Sequence, residues 1–134
     1  MKSDILFVCT ENSSRSQMAE GFAKARGMIA SSGGTMPATS VNPLVVEVMK
    51  EKGIDISGAK PKKITDEVVE QSQIVVLTDS SLESLLPKNI RKKIAKKLVF
   101  WSISDTQGQS IEAVRFIKDS IERSLNSLLQ SKSD

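Results

Sequence analysis

Cys9 is the only cysteine in the chain of 134 residues, and the five polar residues Thr10, Glu11, Asn12, Ser13 and Ser14 separate it from Arg15. Cys-x5-Arg is a spacing with chemical meaning. A thiolate is a strong nucleophile, and a guanidinium presents the planar fork that grips an oxyanion by two parallel N–H bonds. The apolar run Ile5-Leu6-Phe7-Val8 leads into Cys9, and after Arg15 the residues Met18, Phe22 and Ala25 recur like one face of a helix. The stretch therefore reads strand, tight loop, helix. In such a turn the backbone N–H groups of the loop and first helical turn converge, and the helix dipole favours negative charge there. A thiol at the entry ionises readily, because helix N-termini and nearby cations lower a cysteine pKa from about 8.5 to roughly 3.5–7.5. A thiolate inside an anion cradle points to attack on a bound oxyanion.

Roles for the neighbours follow from their chemistry. Arg15 clamps the equatorial oxygens of the anion in a way that lysine cannot reproduce. The backbone amides of Thr10, Glu11, Asn12, Ser13, Ser14, Arg15 and Ser16 supply the remaining charge stabilisation, so the chemistry needs no metal or other cofactor. Ser16 can donate a hydroxyl hydrogen bond to the thiolate, and Asn12 can brace the loop through its side-chain amide. A lone cysteine ending a buried strand is by default a small core residue. Arg15, Ser16 and Asn12 at this spacing set Cys9 apart from that default.

The elements that must position these residues alternate along the chain. A strand over 5–9 precedes a helix over 15–26, and a short strand from Ile29 to Ser32 ends in Gly33-Gly34. Asn42 caps a helix that has Pro43 in its first turn and runs through Met49 to Lys52, with Gly53 as its stop. Thr65-Asp66-Glu67 opens a short helix to Gln71, and Ile74–Leu77 is a third buried strand. Residues 81–96 are helical around a break at Pro87. Leu98–Trp101 is the fourth strand, and Ile111, Val114, Ile117, Ile121, Leu125 and Leu128 line a long last helix. Strands alternating with helices imply an α/β fold, a three-layer sandwich with a four-stranded parallel sheet flanked by helices, in one domain spanning residues 1–134. Ligands of open α/β sheets bind beyond the carboxyl ends of the strands. Cys9, Asp79 and Asp105 each follow such an end, so one crevice can hold all three. Asp79 also precedes Ser80-Ser81 and reads more simply as a helix cap.

Composition narrows the partners. The chain has no histidine, which excludes any mechanism needing a histidine base, and a single cysteine permits no internal disulfide. A net charge of +3 with 4% aromatic residues and no tyrosine gives no footprint for nucleic acid. The run Lys88, Arg91, Lys92, Lys93, Lys96 and Lys97 is interleaved with Ile90, Ile94 and Leu98, as in the solvated face of a helix. No signal-peptide pattern and no apolar stretch of about 18 residues is present, so no membrane contact and a cytoplasmic, reducing setting are expected.

The segment Val8-Cys9-Thr10-Glu11-Asn12-Ser13-Ser14-Arg15-Ser16-Gln17-Met18-Ala19-Glu20 resembles the active-site loop and first helix of the low-molecular-weight protein tyrosine phosphatases and of the thioredoxin-coupled arsenate reductases built on the same fold. The likeness continues through Asn42-Pro43, Met49-Lys50-Glu51-Lys52-Gly53-Ile54-Asp55-Ile56-Ser57 and Trp101-Ser102-Ile103-Ser104-Asp105. It implies a cysteine-dependent phosphatase acting on phosphorylated protein, phosphotyrosine above all, or on small phosphate esters, through a cysteinyl-phosphate. Asp105 would be the general acid for the leaving oxygen and later the base for water. Read without the resemblance, Asp-Thr-Gln-Gly is ordinary turn chemistry. The chain departs from the family pattern in several places. Glu11 stands where glycine is usual, so its side chain must point outward. Thr106 replaces the proline after the acid, and the tyrosine-rich segment beside the acid is missing. The two further cysteines that the thioredoxin-coupled reductases use near 77–85 are also missing. An arsenate reductase built on this sequence would have to borrow its reducing thiol from an external partner.

Overall fold

The computed structural model describes residues 3–133. Its central strand β1 (Ser3–Cys9) shows in its side chains why the sheet is covered on both faces. Successive side chains of a strand point to opposite faces. Ile5 and Phe7 join one apolar cluster, Leu6 and Val8 a second, and all four are buried. β1 pairs in parallel with β2 (Ala30–Gly34) on one side and β3 (Ser72–Leu77) on the other, and β4 (Leu98–Phe100) extends the sheet beyond β3. The order β2-β1-β3-β4 makes a four-stranded parallel sheet. Each parallel step needs a crossover, and helices supply it.

One face is covered by α1 (Arg15–Ala25), α2 (Pro43–Glu51) and α5 (Ile111–Ser133), through Met18, Phe22, Val45, Val48, Met49, Val114, Ile121 and Leu125. The other is covered by α3 (Asp66–Gln71), a 3₁₀ helix over Ser80–Leu85 and α4 (Lys88–Ile94), through Val69, Leu82, Ile90 and Ile94. The three-layer α/β sandwich expected from the sequence is the one observed. Local signals behave as their chemistry dictates. Asn42 Oδ1 accepts from Leu44 N at 2.9 Å ahead of Pro43, Gly53 ends α2 at φ +76°, and Thr65 Oγ1 accepts from Val68 N at 3.1 Å.

Three boundaries differ from the sequence reading. β2 starts at Ala30, because the Ile29 N–H is taken by the Asp4 carboxylate at 3.1 Å, and it extends through both glycines. Gly33 and Gly34 are strand residues chosen for closeness rather than turning. A Cβ on Gly33 would stand 2.6 Å from Ile64 Cγ2, and one on Gly34 would stand 2.6 Å from Thr10 O. The helical stretch around Pro87 divides into the 3₁₀ helix and α4. β4 stops at Phe100, although Trp101 N still donates to Leu77 O at 2.8 Å. Within the basic run, Lys93 bonds Glu70 at 2.7 Å and Lys97 bonds the carbonyls of Val69 and Ser72; Lys88, Arg91, Lys92 and Lys96 are exposed. No helix among the described residues is long and apolar enough to cross a membrane.

Leu125 is fully buried where α5 closes the larger cluster. Leu125→Ala is expected to lower unfolding stability by about 2–5 kcal/mol through lost transfer energy and the cavity left behind. Urea denaturation measures it, and a loss below about 1 kcal/mol would show that α5 is not part of the core it covers.

Candidate active site

The loop between β1 and α1 is shaped by the segment that follows β2. Thr35 N donates to Cys9 O at 3.3 Å, Met36 N to Thr10 O at 2.8 Å, Ala38 N to Glu11 O at 2.9 Å and Asn42 N to Ser13 O at 2.9 Å. Four loop carbonyls are thus turned outward. A trans peptide places its N–H opposite its C=O, so the amides of Thr10, Glu11, Asn12 and Ser14 face away from that strap, into the loop. The Asn12 N–H reaches Cys9 Sγ at 3.1 Å. No side chain caps the start of α1, which leaves its first amides to a ligand.

Asn12 holds the loop in this form. Its φ of +51° is the only positive φ on a non-glycine among the described residues, and its side chain is fully buried. Both amide hydrogens are used: Nδ2 donates to Ser16 Oγ at 2.7 Å and to Ser32 Oγ at 2.9 Å. Oδ1 accepts from Gln17 Nε2 at 3.0 Å and from Lys62 N at 2.9 Å. Ser16 Oγ, which accepts from Asn12, lies 2.8 Å from Cys9 Sγ and can donate its hydrogen to a thiolate there. The Asn12 amide and the Ser16 hydroxyl thus both reach the sulfur. The Ser32 hydroxyl passes on to the buried carboxylate of Glu20, which pairs with Lys24 at 2.5 Å and Lys62 at 3.7 Å.

Arg15 is buried at the first position of α1. Its Nη1 donates to Ile103 O at 3.0 Å and lies 3.7 Å from Asp79 Oδ2. Ile103 is fixed in turn, since its N–H bonds Thr78 O just past β3. The opposite edge is open: Nε is buried without a partner, and among the described residues Nη2 makes no bond. A buried unsatisfied donor needs an explanation. An oxyanion taking the Nε and Nη2 hydrogens together supplies it.

The two acids differ. Asp79 Oδ1 accepts from Ser81 N at 3.0 Å, so it caps the 3₁₀ helix as expected and touches Arg15 as well. The Ser81 amide above all, with Arg15 adding to it, holds the Asp79 carboxyl below its ordinary range. It is therefore ionised at neutral pH and is no proton donor. Asp105 is exposed and uses Oδ1 to accept from Thr106 N at 2.7 Å, while Oδ2 has no partner among the described residues. It lines a cleft together with Glu11, Ser13, Asn42 and Thr106. Asn42 ties this cleft together by binding Ser13 O through its N–H and Thr106 Oγ1 through Nδ2 at 3.4 Å. Among the described residues no cluster of three His, Cys, Asp or Glu side chains is placed to hold a metal.

Residues 4–133 match the family described as low molecular weight phosphotyrosine protein phosphatase. The chain belongs to this family. It is 36% identical to arsenate reductase 2 of Staphylococcus haemolyticus over 133 residues, covering 94% of this chain and 95% of that one. It is 32% identical to the glutaredoxin arsenate reductase of Synechocystis sp. strain PCC 6803 over 127 residues, covering 93% and 95%. Among solved structures, the low molecular weight protein tyrosine phosphatase from T. tengcongensis superposes with a TM-score of 0.86 at 26% identity, over 97% of this chain and 99% of that one. Proteins carrying either enzyme name are therefore similar to the chain along nearly its whole length.

Of the residues singled out by sequence, Cys9, Asn12 and Ser16 are in direct contact, and Thr10, Ser13, Ser14 and Arg15 complete the same loop. Glu11 is exposed at the cleft it lines with Asp105, and its φ is not positive. Sequence reasoning missed Gln17, Ser32 and Glu20, and the Ile103 carbonyl that anchors Arg15. Ser32 gave a faint signal, a polar residue within a buried strand. The other three become visible only when burial is known. Asn12→Ala leaves several buried groups unpaired and puts a Cβ-bearing residue without hydrogen-bonding help at φ +51°, so a loss of about 2–4 kcal/mol in stability is expected. Phosphate binding, followed by calorimetry, should fall with it, and an Asn12→Ala protein that binds phosphate as wild type would contradict the bracing role.

Proposed function

We propose that the protein hydrolyses phosphomonoesters, protein phosphotyrosine first among them, through a phosphorylated Cys9. The open Nε–Nη2 edge of Arg15 beside the cysteine loop carries this reading. In the first step Cys9 Sγ attacks phosphorus, an S–P bond forms, and the bond to the leaving oxygen breaks. Arg15 and the in-turned amides hold the three equatorial oxygens as charge develops on them. Asp105 gives the departing oxygen its proton. In the second step water attacks phosphorus, Asp105 takes the proton back, and the S–P bond breaks to regenerate the thiolate. Ser16 stabilises the sulfur as it leaves. No electrons are transferred, so one sulfur suffices. The lone thiol fits a reducing compartment, the cytoplasm, where it stays reduced without a partner cysteine.

The names of the sequence relatives favour a second reading, reduction of arsenate. Here Cys9 would bond arsenic with loss of water, and a second thiol would attack Cys9 Sγ. A disulfide forms, the S–As bond breaks, and its electron pair reduces arsenic as arsenite leaves. The chain has one cysteine, so that thiol must come from a partner such as a glutaredoxin or a small-molecule thiol.

An aryl phosphate and arsenate assayed side by side separate the two. We expect hydrolysis of the ester and no arsenate reduction with thioredoxin as the sole thiol; efficient arsenate turnover on adding glutathione and glutaredoxin, with negligible ester hydrolysis, reverses the order. Cys9→Ser is expected to lose at least about 10³-fold in turnover while still binding phosphate, because the amides and Arg15 remain. Retained activity in that variant ends the nucleophile assignment. Asp105→Asn should slow esters with poor leaving groups more than those with good ones, since only the former need the proton. Equal slowing across a leaving-group series would return Asp105 to a turn residue.

A further inference from the structure

The cleft between the cysteine loop and Asp105 belongs to the site on both of its sides. Glu11 and Ser13 are loop residues, and Asp105 is the acid assigned to the ester oxygen. Ser40, Asn42 and Gln107 add polar lining, and none of the lining residues is basic. At about 190 Å³ the cleft is smaller than the roughly 300–1,000 Å³ of sites that enclose a small molecule. It has room for one side chain of a longer substrate, and the residues flanking that side chain then lie outside, where Glu11 is exposed. The backbone carbonyl of Glu11 is held by Ala38 N, but its carboxylate has neither a hydrogen bond nor an ion pair among the described residues. Glu20, Glu51, Glu70 and Glu122 by contrast each pair with a lysine or arginine.

The buried, unpartnered Nε of Arg15 shows that the same loop takes an anion. A phosphoryl group held there puts negative charge on the loop that carries Glu11, and a cation brought by the substrate offsets the repulsion. Asp105 must keep its proton until the leaving oxygen departs, so Glu11 is the carboxylate of the cleft that offers a lasting charge.

We propose that Glu11 determines specificity by favouring phosphopeptides in which a lysine or arginine lies next to the phosphorylated residue. The inference rests on the phosphatase reading and narrows its substrates. The flanking ammonium or guanidinium pairs with the Glu11 carboxylate, whereas a flanking acid meets a like charge. Both partners are exposed to water, so the result is a preference of a few-fold and not an absolute requirement.

Phosphotyrosine peptides flanked by lysine, by alanine or by glutamate, and otherwise identical, test this by kcat/KM in wild type, Glu11→Gln, Glu11→Lys and, as control, Glu122→Gln. Glu122 pairs with Arg26 at the end of α1 remote from the loop. Wild type should prefer the lysine peptide to the alanine peptide about two- to fivefold, with the glutamate peptide below both. Glu11→Gln should bring the three together, Glu11→Lys should reverse them, and Glu122→Gln should keep the wild-type order. Raising salt from about 0.1 M to about 1 M shortens the screening length from about 10 Å to about 3 Å and should flatten the wild-type series. A wild-type preference that survives high salt, one unchanged in Glu11→Gln, or one changed as much in Glu122→Gln overturns the Glu11 assignment alone. Hydrolysis of phenyl phosphate with none of the peptides overturns the peptide substrates. Inactivity on phenyl phosphate and all peptides overturns the phosphatase reading itself.

Discussion

The shape of this site depends on the loop carbonyls being held to one side by the segment that follows β2. Cys9, Thr10, Glu11 and Ser13 each give their carbonyl to a backbone N–H of residues 35–42, and planar trans peptides then commit the amides to the other side. A loop of the same sequence without this strap would be free to rotate a peptide and turn an oxygen inward. The strap can lie so close only because β2 ends in glycine. A Cβ on Gly34 would meet Thr10 O at 2.6 Å and Asn12 N at 2.9 Å, inside the contact limit of backbone atoms. The parallel register that sets Cys9 beside Gly34 therefore acts directly on the shape of the cradle.

Asn12 answers a conflict within that loop. A left-handed residue is easiest for glycine, which has no Cβ to clash, and a residue with a side chain held off its preferred backbone region costs about 1–3 kcal/mol. Asparagine tolerates the conformation better than most, and here its amide makes four hydrogen bonds that glycine could not. Those bonds run in one direction of consequence, from Lys62 and Gln17 through Asn12 to Ser16 and then to the sulfur. Backbone strain, buried polar satisfaction and the environment of Cys9 are thus settled by one side chain. Arg15 shows the complementary case: half of its guanidinium is anchored by Ile103 O and Asp79, and the other half is left for a ligand.

Much of this was legible in the sequence, for reasons that differ by residue. The apolar run before Cys9 could only be a buried strand, and Asn42-Pro43 and Thr65 carry their caps in their own side chains, so local chemistry was enough. Cys9, Asn12, Ser16 and Arg15 sit within one short segment, and their spacing already brings them together. Gly33-Gly34 marked the end of the second strand but not its purpose, because glycine serves both turns and close approaches, and only the neighbouring segments decide which. Gln17, Ser32 and Lys62 come from three separate segments, and their meeting at Asn12, with Glu20 behind Ser32, needs the assembled sheet. Asp79 was read as a cap and is one; its second contact, with Arg15, arises because the ends of β1 and β3 are neighbours.

The proposed function requires that Cys9 become bonded to the phosphoryl group that the loop amides and the open guanidinium edge of Arg15 would hold. Rapid acid quenching during steady-state turnover of an aryl phosphate, followed by proteolysis and mass spectrometry of the peptide containing Cys9, observes that bond. The account predicts a phosphoryl group on Cys9 in wild type, formed at a rate at least equal to turnover and accumulating further in Asp105→Asn when the leaving group is good. Sustained turnover with Cys9 unmodified at every quench time would contradict it.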